Sequence, residues 1–346
     1  MHRLTNGLQY LNIEKYDYEN MILDEIMLEK KCQENNASLF MSTYYTSPQN
    51  TKSLLMIHDL IPEMLQWDMT QPMWVGKTRA IKHASDYICV SHNTANDLKK
   101  IYPNSLGKTT IAHCGVLPHF KKSSYTSIEN FKKKYGITKK YFLTVGERGA
   151  HKNIHLFFDG LANIDGINDY EVICLGGQKN IELEFQEYTS KISIKRIRID
   201  DSEMPDAYSG ALALVYPSLY EGFGMPIVEA MACECPVITC PHGSIPEVAS
   251  DAVIYVDSND SLAMSKALLN IQKSEIRKSL IAKGLKNSER FSWLKMANII
   301  TKTIYKIEML NEKNTSMTVK DQELYEKTIK HIERLNSDKY SKNEVY

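Results

Sequence analysis

Nowhere in its 346 residues does the chain string together an apolar run able to span a bilayer, which takes about 20 residues. Net charge is also missing. The 42 lysines and arginines balance 42 aspartates and glutamates, which argues against nucleic acid as a main partner and leaves room only for a local basic face. The opening MHRLTNGLQYL has neither the apolar region nor the small-residue cleavage site of a secretory signal. These absences point to a cytoplasmic protein. The 7 cysteines are odd in number and mostly sit in strand-like contexts, as Cys89 does in DYICVS, Cys174 in EVICLG and Cys240 in VITCP. No disulfide framework is implied. Cys233, Cys235, Cys240 and His242 match no familiar zinc spacing, because Cys233 and Cys235 flank the end of a predicted helix; buried thiols are expected. There is no internal repeat and no low-complexity tract.

What is present is an ordinary globular composition, 43% hydrophobic and 24% charged, in a chain long enough for two domains with separate cores. From about Tyr141 onward, short apolar runs alternate with helical patterns. YFLTV, EVICLG, IKRIRI, ALALVY, PVITC and AVIYV read as strands, with helices through about Leu161, from about Asn180 to Lys191, around Met204 to Tyr208, and after Asp257-Ser258-Asn259. Runs of this kind imply a parallel sheet covered on both faces. Earlier, Ser38 to Ser42, Ser53 to Ile57, Tyr87 to Val90 and Thr109 to Ala112 read as strands. A helix is expected from Tyr16 to Gln33 with Met21, Ile22, Ile26 and Leu28 on its apolar side. A basic helix is expected over Lys77 to Ala84, and another starts at Ser91 to Asn93.

The stretch Pro217 to Glu229, PSLYEGFGMPIVE, passes from a strand through a glycine-spaced loop into a helix with Pro226 near its first turn, where a missing N–H costs nothing. Backbone N–H groups at such a start, with the positive end of the helix dipole, favour a phosphate. Glu221 and Glu229 flank it. Carboxylates would repel a phosphate, so hydroxyl groups of a sugar or ribose are the better partners. The stretch suggests a sugar nucleotide.

PSLYEGFGMPIVEAMACECPVI resembles the signature of retaining glycosyltransferases of GT-B architecture, the group 1 (family 4) type, whose Glu-x7-Glu pair matches Glu221 and Glu229. The resemblance implies two Rossmann-like doubly wound domains facing a cleft, and transfer of a hexose of mannose or glucose type from a UDP- or GDP-sugar to a glycan, lipid-linked or other hydroxyl. It implies that Glu221 holds the transferred sugar, with Gly222, Phe223 and Gly224 near the sugar and phosphates, and that Glu229 binds the ribose. GERGAHKN resembles the family's phosphate-binding loop, with Gly146 at its head and Lys152 as its lysine. Many members place an arginine directly after the first glycine. Here Glu147 stands there and Arg148 follows, so either Arg148 or His151 supplies the second positive charge. The nucleobase is expected near Ile199 to Ser202. HDLIPE resembles the family's His-Asp segment and would turn His58 toward the donor sugar and the reacting bond. No cofactor and no metal are implied: Asp200-Asp201 and Asp257 to Asp260 precede predicted helices, where capping accounts for them.

The resemblance reaches back to roughly Ser38, and HCGVLPHF resembles the segment with which the first domain ends. The domains are therefore expected at 1–120 and 121–294, with helices from 295–346 returning to the first. The first domain is expected to be abbreviated, or the chain to be a piece of something longer, since the residues before Ser38 contain no Gly-Gly loop after an apolar strand. A shortened sheet would expose an edge that a protein partner or second copy could cover. Weak strand character at Leu8 to Ile13 and a helix from about Asp321 to Leu335 complete the reading. An inner-membrane-face location follows if the acceptor is lipid-linked. The alternative is a donor-binding, catalytically degenerate subunit acting as partner or scaffold. A third reading, a sugar-nucleotide epimerase, lacks identifiable acid and base groups.

Overall fold

The computed structural model describes residues 20–103, 108–177 and 182–311. The expected strand at Leu8 to Ile13 and helix at 321–335 lie outside these. Two compact units emerge among the described residues. One takes those up to His113 and those from Leu294 on; the other runs Cys114–Trp293.

The first unit carries β1 (Phe40–Ser42), β2 (Ser53–Ile57), β3 (Asp86–Cys89) and β4 (Lys108–Ile111). They form a parallel sheet in sequential order. β2 is buried along its whole length, as a central parallel strand must be. Leu55, Ile57, Tyr87 and Cys89 pack with Ala80, Ile81, Ala95 and Leu98 from the helices Pro72–His83 and His92–Ile101. Ser91 caps the second of these, its hydroxyl accepting from the Thr94 N–H at 3.0 Å.

The helix Met21–Glu34 corrects the expected apolar side. Its buried residues are Asp24, Glu25, Leu28, Glu29 and Cys32, while Ile22, Leu23 and Ile26 are exposed. The Glu25 and Glu29 carboxylates turn inward because each has partners there. Glu25 forms a two-point pair with Arg79, at 2.7 and 2.5 Å. Glu29 accepts the Asn50 and Thr51 N–H groups at 2.8 and 2.9 Å. Hydrogen-bond geometry, rather than apolar content, chose the face.

The second unit carries β5 (Lys140–Val145), β6 (Tyr170–Leu175), β7 (Ser193–Ile197), β8 (Ala213–Tyr216), β9 (Val237–Thr239) and β10 (Ile254–Tyr255). All pairs are parallel, in the order β10-β9-β8-β5-β6-β7. Alternate residues feed two cores. Phe142, Val172, Cys174, Ala213 and Val215 join one; Tyr141, Leu143, Ile173, Leu175 and Leu214 join the other. The two-residue period of a strand thus covers both faces of the sheet. The chain reverses its winding between β5 and β8, and ligands of open α/β sheets bind beyond the carboxyl ends of the strands at such a point. The expected helix from Asn180 to Lys191 is instead a 3₁₀ segment, Leu183–Ser190. Its buried Phe185 and Tyr188 are three residues apart, which suits three residues per turn.

Candidate functional site

Two loops leave the sheet at the switch point. The loop after β5 begins at Gly146, whose φ of +98° disfavours a side chain and whose missing Cβ would meet nothing within 4 Å. A single 3₁₀ turn, Ala150–Lys152, then presents Lys152. The loop after β8 runs from Pro217 to Gly224 and ends on the helix Met225–Ala232, with Gly224 at φ +95° as its N-cap and Pro226 in its first turn. The Leu219 N–H donates to the His151 carbonyl at 2.7 Å. This bond ties one loop to the other.

The structure brings Lys152 and Glu221 together. Lys152 Nζ lies 2.5 Å from Glu221 Oε1 and donates to Tyr216 Oη at 3.0 Å. It also sits 4.9 Å from the Tyr216 ring centroid. Burial, followed by the Glu221 charge, pushes the Tyr216 phenol well above its usual range, so it stays neutral. An ammonium has three donors; Glu221 and Tyr216 take two, leaving one for an anion.

The Glu221 backbone is clamped from β9. The Ser244 N–H and hydroxyl both donate to the Glu221 carbonyl, at 3.2 and 2.9 Å. Gly243, at φ +57°, lies so close that a Cβ there would stand 2.9 Å from that carbonyl oxygen. Ser244, Gly243 and Tyr216 were missed in the sequence. PHGS after a strand reads only as a turn, and a tyrosine ending an apolar strand reads as core.

Glu229 sits in the helix that follows, partly exposed, and accepts from Tyr208 Oη at 2.8 Å. Burial raises its carboxyl above the usual range, and the Tyr208 bond opposes that rise. Gly222 and Phe223 are buried, with the Phe223 ring edge-on to Phe291 at 5.4 Å. Ile199 packs partly buried against the core that holds Tyr208.

Arg148 is otherwise engaged. It is 3% exposed, its Nε donates to Glu182 at 2.7 Å and its Nη1 to the Gly176 carbonyl at 3.3 Å. The one-place shift from Glu147 thus goes with a guanidinium held in an internal ion pair. Of the acidic groups weighed as metal ligands, Asp200 forms a capping box with Glu203, Asp257 accepts from the Asn259 N–H at 2.9 Å, and Asp260 accepts from the Ala263 N–H at 2.8 Å. Cys233, Cys235 and Cys240 are buried free thiols, those of Cys235 and Cys240 pushed up to about 12 by burial.

In the first unit, His58 follows β2, and its Nε2 lies 2.7 Å from the Thr43 carbonyl. A carbonyl only accepts, so Nε2 carries the proton and Nδ1 is the acceptor of the neutral ring. Within HDLIPE, Leu60, Pro62 and the Glu63 side chain face inward. Lys77, fully buried, pairs with Glu63 at 2.9 Å and donates to the Asp59 carbonyl at 3.1 Å. Tyr102 Oη donates to the other Glu63 oxygen at 3.0 Å. Lys77, in the helix Pro72–His83, thus belongs to a buried network behind His58.

Residues 127–287 match the family model described as Glycosyl transferases group 1. Over 246 residues the chain is 28% identical to the O-antigen chain mannosyltransferase RfbU of Salmonella typhimurium, covering 69% of this chain and 66% of that protein. Over 113 residues it is 41% identical to the O-antigen chain mannosyltransferase B of Escherichia coli, covering 32% and 29%. The aligned part therefore spans less than two thirds of either relative. Among solved structures it resembles a sucrose-phosphate synthase from Thermosynechococcus elongatus, with a TM-score of 0.71 at 19% identity, covering 89% and 82%. It also resembles Anabaena Alr3699/HepE solved with UDP-glucose, with a TM-score of 0.65 at 17% identity, covering 82% of each. At such identities the likeness is one of fold, and the fold is the GT-B type.

Proposed function

We propose that the chain, whose residues 127–287 match the group 1 glycosyl transferases, is a glycosyltransferase that moves a hexose of mannose or glucose type from a nucleoside-diphosphate sugar to an acceptor hydroxyl. The observation that carries the reading is the convergence of Lys152 and Glu221 at the carboxyl ends of β5 and β8, 2.5 Å apart, with Glu229 in the helix that Glu221's loop enters. In this reading Lys152 and the start of the helix Met225–Ala232 stabilise the leaving diphosphate, where negative charge grows. Gly146 leaves room for its oxygens. Glu221 holds the sugar hydroxyls and Glu229 the ribose, with the base toward Ile199. His58 keeps the role the resemblance gives it, toward the donor sugar and the reacting bond. Arg148, held by Glu182, orders the loop and leaves the second positive charge to His151.

The reaction retains configuration by front-side displacement. The bond from the anomeric carbon to the diphosphate breaks, the bond to the acceptor oxygen forms on the same face, and the acceptor proton passes to the departing diphosphate. No metal is needed, because Lys152 and the helix dipole supply the charge a cation would. A glycan or lipid-linked acceptor is supported by the O-antigen mannosyltransferases to which the chain is similar. Among the described residues no helix is long and apolar enough to cross a membrane. A cytoplasmic location, at the inner membrane face when the acceptor is lipid-linked, is part of the proposal and is supported by the acceptor chemistry proposed above. A protein partner covering the first unit's sheet edge is part of this proposal.

The test is a screen of UDP- and GDP-sugars for binding, slow hydrolysis and transfer. Donor hydrolysis or transfer that Lys152→Ala abolishes supports the reading. Tight donor binding without turnover across varied acceptors would favour the scaffold instead.

A further inference from the structure

Among the largest fully buried side chains are three tyrosines, Tyr87, Tyr141 and Tyr208. A buried phenol must find an acceptor. Two of them find backbone. Tyr87 donates to the Ile81 carbonyl at 2.7 Å and Tyr141 to the Ala207 carbonyl at 2.7 Å. Tyr208 alone of the three donates to a carboxylate, Glu229 Oε2, at 2.8 Å. The helix that carries it, Met204–Gly210, is itself fixed on both sides of the phenol. Tyr141 holds its Ala207 carbonyl, and Ser209 Oγ donates to the Cys233 carbonyl at 3.2 Å. The ring is further packed by Phe120, centroids 6.2 Å apart. The phenol therefore cannot follow the carboxylate if Glu229 changes rotamer.

From this geometry we infer that Tyr208 is the positioning residue for Glu229: its phenol, fixed by the packing around it, holds one carboxylate oxygen so that the other is set for the vicinal hydroxyls of the donor's ribose. The inference rests on the ribose reading of Glu229 given above.

The electrostatics agree with the geometry. Burial alone would favour a neutral carboxyl, which accepts less well and offers a proton instead. The titratable groups facing Glu229 are Tyr208 from its own helix, Asp201 from the turn preceding that helix, Tyr216 at the end of β8, and Cys233 at the close of the helix bearing Glu229. Tyr208, Tyr216 and Cys233 all lie above their usual ranges through burial and stay neutral. Asp201, the one charged neighbour of the four, raises the Glu229 carboxyl further. Only Tyr208 among them favours the anion. A carboxylate that must stay charged in a half-buried position depends on that donor.

The experiment is calorimetric titration of the full chain with UDP-glucose and GDP-mannose and their 2′-deoxyribose forms, from mildly acid to mildly alkaline pH. Wild type is expected to bind one of the two, to lose affinity for its 2′-deoxy form, and to lose affinity as Glu229 protonates at the acid end. Tyr208→Phe should weaken binding about tenfold or more, the scale of a hydrogen bond to a charged group. It should also move the acid limb to higher pH and narrow the 2′-deoxy discrimination. If Tyr208→Phe does not fold, 3-fluorotyrosine placed at position 208 keeps the ring and makes the phenol a stronger donor; the acid limb must then move to lower pH. A folded Tyr208 variant with the wild-type acid limb and wild-type discrimination overturns the inference. Wild type that binds neither donor, or does not distinguish the 2′-deoxy form, overturns the ribose reading of Glu229 and the inference with it.

Discussion

Lys152 Nζ and Glu221 Oε1 stand 2.5 Å apart, a pair formed by residues 69 positions apart in sequence. Both side chains are largely buried. In the reading proposed here one serves the phosphate and the other the sugar, and each holds the other in place. Removing the lysine should therefore cost more than one phosphate contact. Lys152→Ala is expected to lower kcat by about 100- to 1000-fold, the effect of deleting a preorganised donor at developing charge. Because both residues act through one pair, Lys152→Ala and Glu221→Ala should combine to less than the product of their separate effects. Full multiplicativity in a double-mutant cycle of kcat/KM would show that the contact is incidental.

Gly146 and Gly243 both have positive φ but differ in what surrounds them. Gly146→Ala meets nothing within 4 Å, so its cost to stability is the backbone strain, about 1–3 kcal/mol. In the proposed reading the donor's phosphates take the space beside Gly146, so the loss should appear in donor affinity. Gly243→Ala carries the same kind of strain and also presses a Cβ to 2.9 Å from the Glu221 carbonyl oxygen and 3.0 Å from its nitrogen. Neither of those backbone atoms can swing aside as a side chain can. Thermal melts should rank Gly243→Ala as the more destabilised of the two, and donor titrations should find both weakened. The reverse ranking would mean that the loop at Gly243 adapts freely.

The second unit was legible because its strands are short apolar runs alternating with helices, and because the sheet's switch point places the ends of YFLTV and ALALVY side by side. Glu221 could be named from the glycine-spaced loop that follows its strand, and Lys152 from the resemblance of GERGAHKN to a family loop. Their direct pairing could not, since spacing along a chain says nothing about which of two loops bends toward the other. Tyr208, Ser244 and Lys77 were out of reach for a related reason. A buried phenol aimed at Glu229 and a serine bound to a backbone carbonyl leave no periodic trace. Nothing in the sequence shows that a helical lysine is buried until its carboxylate partners, here Glu63 and Asp59 on the turn 14 to 18 positions earlier, are seen to fold beneath it. The inward carboxylates of Met21–Glu34 misled the apolar-stripe reading in the same way.

Glu29 makes that last point testable by pH. Burial pushes its carboxyl up, but the N–H groups of Thr51 and Asn50 and the side chains of Gln33 and Thr51 outweigh it, so it lies below its usual value of 4.5. A lowered folded value means the stabilisation is fully present above the unfolded value and is lost as pH falls through the folded one. Melting midpoints should accordingly drop below about pH 4.5. In Glu29→Gln, which keeps one acceptor but cannot ionise, the midpoint should be lower at neutral pH and the acid drop shallower. An unchanged acid slope in Glu29→Gln would assign the loss to other carboxylates.

Lys77 tests whether the turn behind His58 is held by charge. Its ammonium is fully buried beside Glu63, whose side chain is 5% exposed, and it lies 4.7 Å from the Tyr45 ring centroid. Taking one partner from a buried pair strands the other charge in low dielectric, at a cost of about 3–5 kcal/mol. Lys77→Met should therefore destabilise the first unit strongly, whereas Lys77→Met with Glu63→Gln, which removes both charges and retains an acceptor for Tyr102, should recover much of the loss. The Trp67 and Trp74 indoles, 5.6 Å apart, with Trp74 5.9 Å from Lys77 Nζ, give a fluorescence signal local to this network for urea titrations. If the double variant is no more stable than Lys77→Met, the loss comes from the lysine's other partners, the Asp59 carboxylate at 3.6 Å and carbonyl at 3.1 Å, rather than from stranding Glu63.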